Sequence, residues 1–297
     1  MWFRNLQVHR IDPNGFADPE HLADQLRHGA FQPCGSLARE SRGWIPPRGD
    51  DRLVCAWHNQ WLIALGVEQK LLPASVVRQV VDTRAAELEQ RMGVKPGRKR
   101  LRELKDEVTD ELLPRAFSRY RTTFAWIDPA NGWLVIDAAS PKTASEFMET
   151  LRKSLDEFPV SPLETGRSAT AAMTEWLTTR EGPAGFTIDR ECELQSPLEE
   201  RATVRYAHHP LTDTPEITNH IAAGKLPTRL ALTWRDKVSF VLTDKLEAKK
   251  LKLVDIAEEA PDEADGVSAD ERFEANFVLM TGLLNRFLGE LVEAVGA

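Results

Sequence analysis

Cysteine is scarce in this chain: Cys34, Cys55 and Cys192 are the three among 297 residues. They are odd in number, far apart, and without the C-x-x-C spacing of zinc ribbons or redox motifs, which excludes a disulfide framework and a structural zinc. They are expected to be small buried hydrophobes in a reducing cytosol. Long apolar runs are missing too. The longest uncharged one, Trp57 to Val67, contains His58, Asn59 and Gln60 and is too short to cross a bilayer. The first ten residues, Met1 to Arg10, alternate apolar and polar and suit a half-buried strand better than a secretory segment, so a cytoplasmic protein is expected. Catalytic signatures are also lacking. Gly224-Lys225 has neither the upstream glycine nor the following Ser/Thr of a phosphate-binding loop, and neither G-x-S-x-G nor H-E-x-x-H occurs. The expectation is a non-enzyme with no cofactor and no metal.

A formal net charge of −8 argues at first against a nucleic-acid partner. Residues 254 to 275, however, hold nine acids and a single base, Arg272, so this segment alone accounts for −8 and the rest of the chain is net neutral. Local basic surfaces are therefore possible elsewhere.

The pattern along the chain predicts an α+β protein. A strand over Trp2 to Ile11 precedes a helix capped by Asp18 with Pro19 at its first position. Strands Leu53 to Trp57 and Trp61 to Val67 pair across a turn. From Pro73 the period becomes helical, with Val77, Val81, Leu88 and Met92 on one stripe and Leu101, Leu104, Val108 and Leu112 on another, broken between Gly93 and Gly97. This predicts a helical hairpin, residues 73–117, inserted into a first sheet-based lobe made of 1–72 and 118–160. Within that lobe Tyr120 to Asp128 and Trp133 to Ala138 flank an Asn131-Gly132 hairpin turn, followed by a helix over Lys142 to Leu155. A second lobe, 161–297, should contain helices at 168–178 and 215–223, strands between 186 and 206, and a meander over Leu226 to Val254. Its C-terminal helix, about Ala269 to Ala294, spaces Phe273, Phe277, Met280, Leu284, Phe287 and Leu291 by four and three. That stripe suits packing on the chain's own sheet or a subunit seam.

Several basic groups stand out. Lys95, Arg98, Lys99, Arg100, Arg102 and Lys105 surround the start of the second hairpin helix, where the helix dipole disfavours cations and a phosphate partner would offset the mismatch. The plainer reading is solvated surface, with Glu103, Asp106 and Glu107 as helical-spacing partners. Arg115, Arg119 and Arg121 interleave with Phe117 and Tyr120, which suits a nucleic-acid or protein interface or, more plainly, a strand edge with Phe117 in the core. Lys142, Arg152, Lys153, Arg205, Lys225 and Arg229 are single bases. His208 and His209, being adjacent, would point to opposite faces of a strand and cannot share a metal. Asp244, Glu247 and Lys249 are the one candidate set for a magnesium-dependent nuclease, although Glu-x-Lys arises readily by chance on a solvated strand edge.

Six segments, in order, resemble one family, the bacterial recombination-associated protein RdgC. They are Met1-Trp2-Phe3-Arg4-Asn5-Leu6, Phe31-Gln32-Pro33-Cys34-Gly35, Gly43-Trp44-Ile45-Pro46-Pro47, Leu112 to Arg119, Glu216 to Ile221 with Ala223-Gly224-Lys225, and Phe277 to Gly282. The resemblance implies a crescent-shaped subunit closed into a ring-shaped homodimer, with duplex DNA in a basic hole. It also implies association with the nucleoid and restraint of the RecA recombinase, without catalysis. Binding would be indifferent to sequence and strongly salt dependent. Single-stranded DNA is a further candidate partner. On this reading Lys95, Arg98, Lys99, Arg100, Arg102, Arg115, Arg119, Arg152, Lys153, Arg205, His208, His209, Lys225 and Arg229 are the candidate DNA contacts. Leu112, Leu113 and Phe117 are candidates for one dimer junction, the C-terminal region is a candidate for the other, and the acidic segment lies on the outside. The stretch before Glu216, Arg205-Tyr206-Ala207-His208-His209, is more lysine-rich in relatives. Histidines are mostly neutral at pH 7, so DNA contact there predicts binding that strengthens towards pH 6. The alternatives are the magnesium-dependent nuclease and a protein-interaction inhibitor of the recombinase with weak DNA contact.

Overall fold

The alternating start of the chain forms strand β1 (Leu6–Ile11) in a computed structural model that describes residues 2–12, 15–16, 18–198, 202–212, 215–254 and 268–296. The strand begins later than the pattern suggests. Arg4 and Asn5 direct their backbone N–H groups to the Asp137 carboxylate, at 3.1 and 2.8 Å, and not to a neighbouring strand. Helix α1 (Pro19–Arg27) opens as expected on Asp18, which accepts from the His21 N–H at 3.1 Å. Strands β2 (Glu40–Ile45), β3 (Val54–Trp57) and β4 (Gln60–Leu71) follow. His58 and Asn59 take φ of 48° and 62° in the turn from β3 to β4, the left-handed pair that tight hairpins favour.

Helices α2 (Ala74–Met92) and α3 (Arg98–Leu112) form the hairpin, and α3 runs on into a single 3-10 turn, Leu113–Arg115. Val77, Val81, Leu104 and Val108 make a small separate core. Met92 and Leu101, expected on the apolar stripes, are exposed instead, because a two-helix arm buries little beyond the seam between its helices. Next come β5 (Phe117–Asp128), β6 (Trp133–Asp137), α4 (Pro141–Ser154), β7 (Val160–Pro162), α5 (Ala169–Thr179), β8 (Phe186–Gln195) and β9 (Thr203–Tyr206). The chain closes with α6 (Pro215–Ala222), β10 (Leu226–Trp234), β11 (Val238–Thr243), β12 (Ala248–Leu253) and α7 (Ala269–Val295). Strand β7 had no sequence signal; it is three residues ending in proline, held by pairing with β1.

The architecture is α+β, and among the described residues all strands lie in one twelve-stranded sheet ordered β2-β4-β5-β6-β1-β12-β11-β10-β8-β9, β3 added beside β4 and β7 beside β1. The two sheet-based regions are thus halves of one sheet. They meet where β1 faces β12, with Leu6 opposite Ala248 and further bonds from Leu251 N–H to the Arg4 carbonyl (2.9 Å) and Lys250 N–H to Asn5 Oδ1 (3.3 Å). The β4–β5 pairing continues out to Leu71 opposite Phe117, so the helical arm grows from the end of this long ribbon.

One apolar cluster, including Trp44, Trp61, Ile63, Ile127 and Phe147, lies between the first half-sheet and α1 and α4. A larger cluster covers the opposite face and continues across the second half under α5 and α7. Helix α7 bridges the halves: Phe277 lies 5.2 Å from the Trp57 ring on β3, and Phe287 lies 4.8 Å from the Phe240 ring on β11. The four-and-three stripe of α7 is therefore core, not a subunit seam. Phe277, Met280, Leu284, Phe287 and Leu291 are buried in their own chain, each contributing about 1.5–3 kcal/mol. Arg167 closes the last turn of α7, with Nε donating to the Val295 carbonyl at 2.6 Å. Of the acidic segment, residues 255–267 lie outside the described residues. Asp270 pairs with Arg48, and Glu271 completes a capping box with Ser268.

Candidate nucleic-acid interface

The hairpin tip is built by two glycines. Gly93 ends α2 at φ 72°, and Gly97 precedes α3 without offering a side-chain cap. No acid occupies the first turn of α3. Lys95, Arg98, Lys99, Arg102 and Lys105 are exposed and make no ion pair among the described residues. Arg100 differs. It lies 2.8 Å from Glu107 and 3.2 Å from Glu103, which raise its pKa. Two of the three carboxylates that helical spacing offered to the cluster, Glu103 and Glu107, are thus spent on one member, Asp106 makes no ion pair among the described residues, and the other cations keep their charge facing solvent.

At the base of the arm Phe117 is 85% exposed, so it is not a core residue. Leu71, its cross-strand neighbour, and Tyr120, on the other face of β5, are also exposed, whereas Leu113 is buried and Leu112 is half-buried against the seam of the arm. Arg119 donates to Gln69 Oε1 at 2.9 Å, and Arg121 reaches Glu146 on α4 at 2.6 Å. Arg115 is exposed in the 3-10 turn. The end of the ribbon is fastened from within by Glu68, which has no signature in the sequence because an acid in a strand looks like surface. Glu68 is nearly fully buried and accepts from the Cys34 N–H at 2.7 Å. Its carboxyl sits below the ordinary range through hydrogen bonds from Ser118, Cys34 and Tyr120.

The single bases are spread over several elements. On α4, Arg152 lies 5.2 Å from the Phe158 ring and Lys153 pairs with Glu149 at 2.7 Å. Arg205 on β9 pairs with Glu191 at 2.8 Å. His208 and His209 lie past the end of β9 and not on a strand: His208 is left-handed, and the His209 ring stacks on Tyr206 at 5.4 Å. Lys225 is half-buried where α6 passes into β10. Arg205 and Arg229 come together across the sheet, since both stand opposite Glu193 from its two neighbouring strands. Cross-strand partners share a face, so these two cations flank one acid on the side of the second half-sheet away from the core.

The candidate nuclease residues do not assemble into an open site. Asp244 is exposed in the turn, while Glu247 is buried. The Glu247 carboxylate accepts from Lys249 Nζ at 2.7 Å, Gln7 Nε2 at 2.5 Å and Thr243 Oγ1 at 3.1 Å. Burial raises its pKa, but these bonds and the Lys249 charge outweigh burial and hold the carboxyl below its ordinary range. Through Gln7 on β1 the group fastens the two half-sheets together. Among the described residues no group of His, Cys, Asp and Glu could hold a metal ion, and no helix is long and apolar enough to cross a membrane.

A family model described as "Putative exonuclease, RdgC" matches residues 1–297. Relatives named recombination-associated protein RdgC match over the full chain. That of Dechloromonas aromatica (strain RCB) is 51% identical over 298 residues, covering 100% of this chain and 98% of the relative. That of Herminiimonas arsenicoxydans is 49% identical over 296 residues, with the same coverage. That of Cupriavidus pinatubonensis is 51% identical over 298 residues, again covering 100% and 98%. A whole-chain family match together with half-identical, full-length relatives leaves a single assignment: the chain belongs to the RdgC family of recombination-associated proteins.

Proposed function

We propose that this chain binds duplex DNA through its phosphates, without reading sequence, as a ring-shaped homodimer of crescent-shaped subunits, and thereby restrains RecA-mediated recombination on the nucleoid. The observation that carries the reading is the hairpin tip. Lys95, Arg98, Lys99, Arg102 and Lys105 are held exposed and unneutralised in a chain whose net charge is −8. Cations placed at a helix N-terminus gain little from their own helix, and a phosphate backbone supplies the missing counter-charge. Exposed Phe117 and its cross-strand neighbour Leu71, at the base of the arm next to Leu112 and Leu113 in the chain, are the proposed junction with the second subunit. Arg115, Arg119, Arg152, Lys153, Arg205, Lys225 and Arg229 are proposed as further phosphate partners, with His208 and His209 adding charge as pH falls towards 6. No reaction is assigned.

Affinity for a duplex and a scrambled duplex of equal length, measured across a salt series alongside the mass in solution, tests this. Equal affinities that fall steeply with salt, from a dimer, are expected. Replacing Arg98, Lys99 and Arg102 together by alanine should lower the salt slope by about one for each phosphate that is no longer neutralised. Flat salt dependence or a monomer would sink the reading. Phe117→Ser should change stability by under about 0.5 kcal/mol and lower the assembled mass. The family model's description, putative exonuclease, favours a second reading, DNA cleavage with magnesium, for which the candidates Asp244, Glu247 and Lys249 do not form an open site, Glu247 being buried and already bonded to Lys249, Gln7 and Thr243. Incubating the protein with DNA and magnesium separates the two, since DNA left uncut agrees with binding alone.

A further inference from the structure

Helix α7 turns most of its large apolar side chains to the sheet, yet Leu279 on its outer side is 64% exposed. Val278, Gly282 and Leu283 lie beside it and floor a groove of about 310 Å³ whose other wall is the β10–β11 turn. A Cβ added at Gly282 would meet nothing within 4 Å, so the glycine lowers the floor without being needed for packing. The rim is cationic. Arg235, Lys237 and Arg286 line the groove with one carboxylate, Glu290. That carboxylate is already engaged, accepting from Trp234 Nε1 at 2.7 Å and lying 2.8 Å from Arg235. Lys237 and Arg286 are exposed and make no ion pair among the described residues. Asp236, at the tip of the turn, is not among the groove-lining residues.

Volumes of about 300–1,000 Å³ with an apolar floor and a few placed charges are those of ligand sites. A DNA backbone would use the two cations but gain nothing from Leu279. A peptide that carries carboxylates next to a bulky apolar side chain satisfies both features. We propose that this groove docks an acidic segment of another protein, seating its apolar side chain over Leu279 and Gly282 and its carboxylates on Lys237 and Arg286.

The test is fluorescence anisotropy of the full chain with a labelled synthetic peptide, a run of aspartates ending in phenylalanine. Controls replace the aspartates by asparagine or the phenylalanine by alanine. The aspartate peptide should bind and both controls should bind more weakly. Lys237→Glu with Arg286→Glu should weaken binding by more than about tenfold, and Leu279→Ser by about tenfold. All three positions are on the surface, and thermal melts of the variants should match the parent. Duplex DNA affinity should not move. Three results overturn the proposal: equal binding of the asparagine peptide, loss of DNA affinity in the charge-reversal variant while the peptide fails to bind, or a fall in assembled mass in Leu279→Ser, which would make a second copy the occupant.

Discussion

The half-sheet from β2 to β6 is buried on both faces, by α1 and α4 on one side and α7 on the other, whereas the half from β8 to β12 is covered by helices on one face. The sequences differ accordingly. Strand β4 reads Trp61-Leu62-Ile63-Ala64-Leu65 without a polar residue, and all five are buried. Strand β12 reads Ala248-Lys249-Lys250-Leu251-Lys252-Leu253, with its apolar residues on the covered side. A two-sided strand must be apolar throughout, while a one-sided strand is free to carry charge outward. Packing thus constrains the first half, and the second has a face available for charged partners through residues such as Arg205 and Arg229.

If the two halves share one core they should open together, and the sharpest break of that claim uses the thiols. Cys55 on β3 and Cys192 on β8 belong to the same apolar cluster, and burial pushes their pKa values up to about 11 and about 12. At pH 8 both should react with a thiol reagent at one common rate, slowed about a thousandfold or more relative to the unfolded chain. Different rates, resolved by mass spectrometry, would mean that the halves open separately. Phe287→Ala comes next, because this ring touches Phe186, Trp234 and Phe240 beneath the bridging helix. A loss of about 3–5 kcal/mol in urea unfolding is expected, in a single transition if the sheet is one unit.

Glu247→Gln probes the junction itself and should cost about 2–3 kcal/mol at neutral pH. The folded carboxyl has a lowered pKa, so its contribution is full above the ordinary value of 4.5 and is lost as pH falls through the folded value. The gap between parent and variant should therefore be full above pH 4.5 and narrow as pH falls below it. Equal gaps at pH 7 and pH 3 would remove the charge from the explanation. Asp18→Ala is the smallest, about 1 kcal/mol from one helix cap on the doubly covered half, read from thermal melts.

Local signals carried much of the fold. Caps, turns and periodicity located every helix to within a few residues, along with the Asn131-Gly132 hairpin, because each depends on neighbours in the chain. Strand β7 escaped because only its pairing with β1 makes it a strand. The ends of β4 and β5 ran past their apolar patterns because each strand supports the other out to Leu71 and Phe117. In the candidate site the cations were legible as a list, but their states were not. Arg100 is neutralised while its neighbours are not, and Phe117 is exposed where an aromatic in a strand reads equally well as core. The buried states of Glu68 and Glu247 gave no signal, since a buried acid differs from a surface acid only in its distant partners.

The sequence by itself determined the class of the protein, its helices, its apolar stripes and its family, since these follow from residue type and from spacing within one element. Tertiary structure decided that the strands form one sheet, that the seam of α7 faces inward, and that Arg205 and Arg229 share a face across Glu193. Those facts depend on pairing between residues far apart in the chain, and no local pattern records which distant backbone a strand will meet.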